Sequence, residues 1–265
     1  MRIGCCVSVQ NIEKLPECGF DFVELPGKEV FKMERRQVIA LRKTLDKRNL
    51  TCESLNAYCP ADIIIAGPGQ NLKEVKAYAL RLAEYASELS VRQVGIGAPK
   101  SRTLPKGYSR EIADCQLQQF LKCTADAFAL YGIYTSLEAV GFCYCNYINH
   151  LEEAAAVLKA VGHPYLRLVP DFYNMEQSGE AELDLKPYIP MIAHVHISDD
   201  DGGPEKRGFL KPEKYGSHER HLTAIKDAGY EGTVSLEVDC PPDSPECIES
   251  WRFLKRIADS ERREV

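Results

Sequence analysis

An alternation runs through this chain from end to end: short apolar runs rich in β-branched residues are separated by longer stretches of helical period. The strand-like runs are Arg2 to Ser8, Phe20 to Leu25, Leu50 to Asn56, Val91 to Gly97, Ile133 to Ala139, Leu166 to Asp171, Ile192 to Ile197 and Thr233 to Val238. Helical segments follow six of them, at Val30 to Arg48, Asn71 to Leu89, Glu111 to Tyr131, Asn149 to Val161, Ser217 to Ala228 and Ser244 to Ser260. The connections after the first and sixth runs leave room for only a turn or two of helix. Gly162 and Gly229 stand between a helical segment and the next strand, where a left-handed cap suits glycine, and Asp243-Ser244-Pro245 marks a helix start.

Strands that alternate with helices build parallel sheets through right-handed crossovers, and eight such units close into a barrel. The expected fold is α/β, a single (β/α)8 TIM barrel spanning residues 1–265 as one domain, since no Pro/Gly/Ser-rich linker divides the chain. An open doubly wound sheet is the rival. Its Gly-rich first turn is missing, because Ser8-Val9-Gln10-Asn11 follows the first strand.

Composition narrows the partners. Lys and Arg total 33 against 39 Asp and Glu, a net charge of −6, which argues against a nucleic-acid partner. No apolar run approaches the length of a membrane span, and the N-terminal MRIGCCVSVQ carries no secretory h-region, so a soluble cytoplasmic protein is expected. Eleven cysteines, odd in number and without a C-x-x-C pair, read as reduced packing residues. Trp251, on the final helix, also reads as packing.

In such a barrel, chemistry sits at the C-terminal ends of the strands. The last four strands end in Ser136-Leu137-Glu138, Val169-Pro170-Asp171, His194-Val195-His196 and Ser235-Leu236-Glu237. One ionisable side chain per strand gives Glu138, Asp171, His196 and Glu237. Three carboxylates and one imidazole suit a single divalent ion, with Mn²⁺, Mg²⁺ or Co²⁺ favoured and Zn²⁺ compatible. His194 shares a face with His196 and offers a second imidazole, but His196 lies nearer the mouth. Glu24 and Asn56 end the second and third strands and would line the pocket; Tyr58, Phe142 and Tyr144 follow strand ends as an apolar wall. The run Asp199-Asp200-Asp201 reads as solvated surface.

The segments SLEAV, NYINHLEEA, LVPDFYNM, HVHISD and DAGYEGTVSLEVD resemble the sugar phosphate isomerase/epimerase superfamily, the xylose isomerase-like barrels that include ketose 3-epimerases, hydroxypyruvate isomerase, inosose dehydratase and endonuclease IV. The resemblance implies that Glu138, Asp171, His196 and Glu237 bind the metal and that Glu138 and Glu237 double as the acid/base pair. It implies an isomerase or epimerase of a small sugar substrate, proceeding through an enediolate; assembly with further copies of the chain is compatible with it.

Two positions depart from that pattern. Asn174 stands where ketose epimerases usually carry a histidine three residues after the metal Asp, and Tyr144 stands where they usually carry a substrate-binding glutamate. Asn174, Arg207, Tyr144, Asn56 and His194 are therefore the expected substrate contacts, with Arg207 supplying the cation from the Asp199 to Lys211 loop. Elimination from an inosose or 3-keto-glycoside is the alternative reaction, followed by a non-catalytic barrel subunit. An abasic-site endonuclease would need more imidazoles than six histidines supply.

Overall fold

The computed structural model describes residues 1–261. Eight parallel strands form the expected barrel: β1 (Arg2–Cys6), β2 (Phe22–Pro26), β3 (Cys52–Asn56), β4 (Gln93–Ile96), β5 (Tyr134–Glu138), β6 (Leu166–Val169), β7 (His194–Ile197) and β10 (Thr233–Leu236). Their hydrogen-bonded order is β6-β5-β4-β3-β2-β1-β10-β7. Only two isolated bridges, Leu168 to Ile192 and Asp171 to His196, join β6 to β7 and close the ring. Pro170 lies between them, and a residue without an N–H cannot continue a ladder. Its carbonyl still accepts the His196 N–H at 2.9 Å, which ties the two site-bearing strands together.

The outer layer comprises α1 (Gly27–Lys32), α2 (Arg35–Lys47), α3 (Leu72–Glu88), α4 (Arg110–Ala129), α5 (Leu151–Val161), α6 (Phe172–Gln177), α7 (Tyr215–Asp227) and α8 (Pro245–Asp259). The segment read as one helix from Val30 to Arg48 is two. Glu34 begins a new helix through a capping box with Gln37, which returns a 2.7 Å hydrogen bond to the Glu34 N–H. The short connections are as expected, a 3₁₀ turn at Val9–Lys14 after β1 and the six-residue α6 after β6. Gly162 caps α5 in the left-handed region, φ 64°.

A two-stranded antiparallel hairpin, β8 (Asp199–Asp200) with β9 (Arg207–Gly208), rises from the end of β7. Here Asp199 departs from the solvated surface expected of its acidic run. It is fully buried and accepts hydrogen bonds from the Lys211 N–H at 2.7 Å and His218 Nε2 at 3.0 Å, which anchors the base of the hairpin.

Glu24, Ser54, Gln93, His194 and His196 are buried polar residues, and the Phe22 ring packs edge-on against His194. A Cβ at Gly4 would fall 2.3 Å from the Phe22 ring, so glycine on β1 is what lets that ring enter the lumen. All eleven cysteines are free; six are buried, four are half-buried and Cys115 is exposed. Trp251 packs edge-on against Phe20, with ring centroids 6.4 Å apart. None of the described helices is long and apolar enough to cross a membrane.

Candidate active site

Glu138 ends β5, Asp171 follows β6, His196 lies on β7 and Glu237 follows β10. One donor atom from each lies within 4.8 Å of every other. The four strands are consecutive around the ring, β5-β6-β7-β10, with the isolated bridges joining β6 to β7. Convergence comes from that adjacency and from side-chain alternation, which turns these residues to a common side.

His196 organises the centre. Its Nε2 meets both oxygens of the fully buried Glu24 at 3.2 Å, while Nδ1 lies 3.3 Å from Glu237 Oε2 and 3.8 Å from Glu138 Oε1 without a hydrogen-bond partner of its own. Burial opposes a charge on His196, but Glu237 and Glu24 hold its pKa well above the ordinary value. Without an ion Nδ1 therefore carries a proton toward these carboxylates, and a divalent cation in its place would take the same four donors. These four residues fit a divalent ion.

Asp171 caps α6, accepting the N–H groups of Tyr173 at 2.8 Å and Asn174 at 3.4 Å. Asn174 was expected to face substrate. Its amide instead donates to Glu138 Oε1 at 2.8 Å and Asp171 Oδ2 at 3.0 Å, and its carbonyl oxygen accepts the Gly141 N–H at 3.1 Å. Every polar group of the side chain is thus engaged, the amide nitrogen on two carboxylates and the oxygen on the Gly141 backbone. Asn can do this where a neutral imidazole, with one donor, could not.

Arg207 reaches in from β9. Its Nη2 lies 2.6 Å from Asp171 Oδ2 and its Nη1 3.2 Å from Glu237 Oε2 and 3.1 Å from Ser198 Oγ. The guanidinium also faces the rings of Tyr173 and Tyr144, at 5.0 and 5.7 Å. Tyr144 Oη is buried and unbonded, and Asn56 donates to Glu237 Oε1 at 3.3 Å. Both therefore border the cluster.

His194 does not reach the mouth. It is fully buried, with Nε2 on Glu24 at 2.8 Å and Nδ1 on Thr233 Oγ1 at 2.6 Å, so both nitrogens serve the barrel interior. Tyr58, expected in an apolar wall, is a core residue packed edge-on against Tyr78 and Phe120, and Phe142 is 57% exposed.

Electrostatics separate the acids. Burial, reinforced by Glu237 and Asp171, pushes Glu138 up to about 7 despite the neighbouring His196. Burial acts the same way on Asp171, but Arg207 and His196 outweigh it and hold that carboxylate below its ordinary value. Burial works against the charge on Arg207, yet Asp171 and Glu237 keep it protonated.

Sequence reasoning missed the bracing by Asn174 and the requirement at Gly97. A Cβ at Gly97 would lie 2.6 Å from Glu138 Oε2, so the glycine just after β4 makes the space the carboxylate occupies.

Comparison with known proteins follows the same lines. A Bacillus velezensis inosose isomerase is 27% identical over 183 residues, 64% of each chain. A Xenopus laevis relative named hydroxypyruvate isomerase is 24% identical over 187 residues, 66% of this chain and 63% of that one. The chain thus spans a little under two thirds of the length of these relatives. Among solved structures, a D-psicose 3-epimerase superposes with a TM-score of 0.76 at 14% identity, covering 98% of this chain and 100% of that one. An E. coli 3-keto-D-glucoside 4-epimerase gives 0.72 at 18% identity, covering 96% and 99%. The profile of the xylose isomerase-like TIM barrel family matches residues 12–257, and the chain belongs to that family.

Proposed function

We propose that the protein is a divalent-metal-dependent isomerase or epimerase of a small keto-sugar or sugar derivative. The carrying observation is the unpartnered Nδ1 of buried His196, facing Glu138 and Glu237 in a four-residue donor set. Family membership and the names of the relatives support the reading.

Glu138, Asp171, His196 and Glu237 would hold the ion, which when bound supplies Lewis-acid polarisation of a substrate carbonyl and stabilises the charge that develops on it. The proton chemistry belongs to the two glutamates. Glu138 ends β5 facing the centre, where a carboxylate can take or give a proton. Glu237, just after β10, approaches the same centre from another strand end. Proton removal beside the carbonyl by one carboxylate and return by the other on the opposite face inverts that carbon. Return to the adjacent carbon isomerises instead.

Arg207, Tyr144 and Asn56 are the groups left to orient substrate hydroxyls, Tyr144 with a free phenolic oxygen. The free state of all eleven cysteines supports a reducing compartment, in keeping with a cytoplasmic enzyme. Product analysis by NMR on a panel of ketoses and inososes, with Mn²⁺ and after chelation, tests the proposal. Metal-dependent interconversion supports it, and elimination products in place of isomers contradict it.

A further inference from the structure

Glu24 is a completely buried carboxylate outside the four-residue donor set, although with His194 and His196 it forms a second cluster of ion-binding geometry that shares His196. Nothing in the proton chemistry above uses it. Its two oxygens nonetheless carry a full complement of neighbours. Oε1 accepts Ser54 Oγ at 2.7 Å and meets His196 Nε2 at 3.2 Å; Oε2 meets His194 Nε2 at 2.8 Å and His196 Nε2 at 3.2 Å. Gln93 in turn donates to Ser54. The carboxylate is held from two strands, β3 and β7, with Gln93 of β4 bracing Ser54, and cannot turn away from His196 without leaving those partners unpaired.

A carboxylate only accepts hydrogen bonds. The ring nitrogen of His196 that faces it must carry the proton, and the opposite nitrogen, which faces Glu138 and Glu237, is the one placed to give up its proton to a cation shared with those carboxylates. The geometry points to Glu24 as a positioning residue that assigns Nδ1, not Nε2, of His196 as the nitrogen available to a divalent cation. This inference rests on the reading of the cluster as a cation site. It gives the polar floor of the barrel a purpose: Gln93, Ser54 and His194 fix Glu24, and Glu24 fixes the imidazole.

The test uses the whole protein with Zn²⁺ alone as a diamagnetic probe and needs no substrate. In ¹⁵N-histidine-labelled, Zn²⁺-loaded wild type, long-range ¹H–¹⁵N spectra should show His196 coordinated through Nδ1 and protonated at Nε2. Calorimetry should show Glu24→Gln binding Zn²⁺ roughly 10- to 100-fold more weakly, the usual cost of removing such an orienting partner. Coordination through Nε2, or a folded Glu24→Gln protein with unchanged affinity and an unchanged histidine spectrum, would overturn the inference while leaving the cation site standing. Wild type that takes up no Zn²⁺ would overturn both. If Glu24→Gln does not fold, the wild-type spectrum decides by itself.

Discussion

Arg207 Nη2 lies 2.6 Å from Asp171 Oδ2, so a guanidinium delivered by the β8–β9 hairpin already balances one flank of the carboxylate cluster. The same group reaches Glu237 at 3.2 Å. It therefore ties the hairpin to the stability of the site itself.

Arg207→Met should expose that dependence. Removing one partner of a buried ion pair costs about 3–5 kcal/mol, because the other charge is left uncompensated. The metal-free variant should melt well below wild type, and Mn²⁺ should recover much of the difference by neutralising the same carboxylates. Thermal unfolding with Mn²⁺ and with chelator checks this; equal melting temperatures in chelator would contradict it.

The pH dependence of metal binding follows from Glu138. With its carboxyl pushed up to about 7, the metal-free protein holds that proton below neutrality and must release it before the oxygen can serve as a ligand. Affinity should therefore rise as pH increases through about 7, by about tenfold per pH unit for each proton linked to binding. Calorimetry in buffers of different ionisation enthalpy should detect proton release. A flat affinity between pH 5.5 and about 7 would contradict the shift.

Gly97→Ala places a methyl group against Glu138 Oε2, at 2.6 Å before relaxation. The carboxylate must move, and a displacement of this size at a reacting group costs about 10- to 100-fold in rate. Turnover of whichever ketose proves active should fall by that factor while the melting temperature changes by only a few degrees, of the order of overpacking by one methyl.

Away from the site, Lys226 places its buried ammonium against the last carbonyls of α8, bonding Ile257 O at 2.9 Å, Ala258 O at 3.0 Å and Ser260. Lys226→Met keeps the stem and leaves those carbonyls unsatisfied, at a cost of about 1–3 kcal/mol. Chemical denaturation should show the loss, with turnover unchanged.

The barrel was legible because alternation of strand and helix is a long-period signal that local exceptions do not erase. Glu138, Asp171, His196 and Glu237 were legible for a related reason: each ends a strand, and strand ends share one mouth. What the sequence hid was the allocation of hydrogen bonds. Asn174 reads equally as a substrate contact or a brace, and only its distances to Glu138 and Asp171 separate the two. His194 and His196 sit on the same face, yet Glu24 and Thr233 absorb one and release a nitrogen of the other. The division of α1 from α2 was readable in Glu34 and Gln37, a capping box inside an otherwise continuous helical pattern.

The account's central claim is proton transfer next to a carbonyl by Glu138 and Glu237 at a metal-dependent site. Incubating the Mn²⁺-loaded protein with ketoses in D₂O and following loss of the carbon-bound proton by NMR tests it most directly. Substrate-dependent deuterium uptake that disappears on chelation and falls by at least about 100-fold in Glu138→Gln and Glu237→Gln is the predicted result, in line with the rate that general acid–base groups supply. Exchange that survives complete metal removal, or that persists at the wild-type rate in both variants, would contradict it.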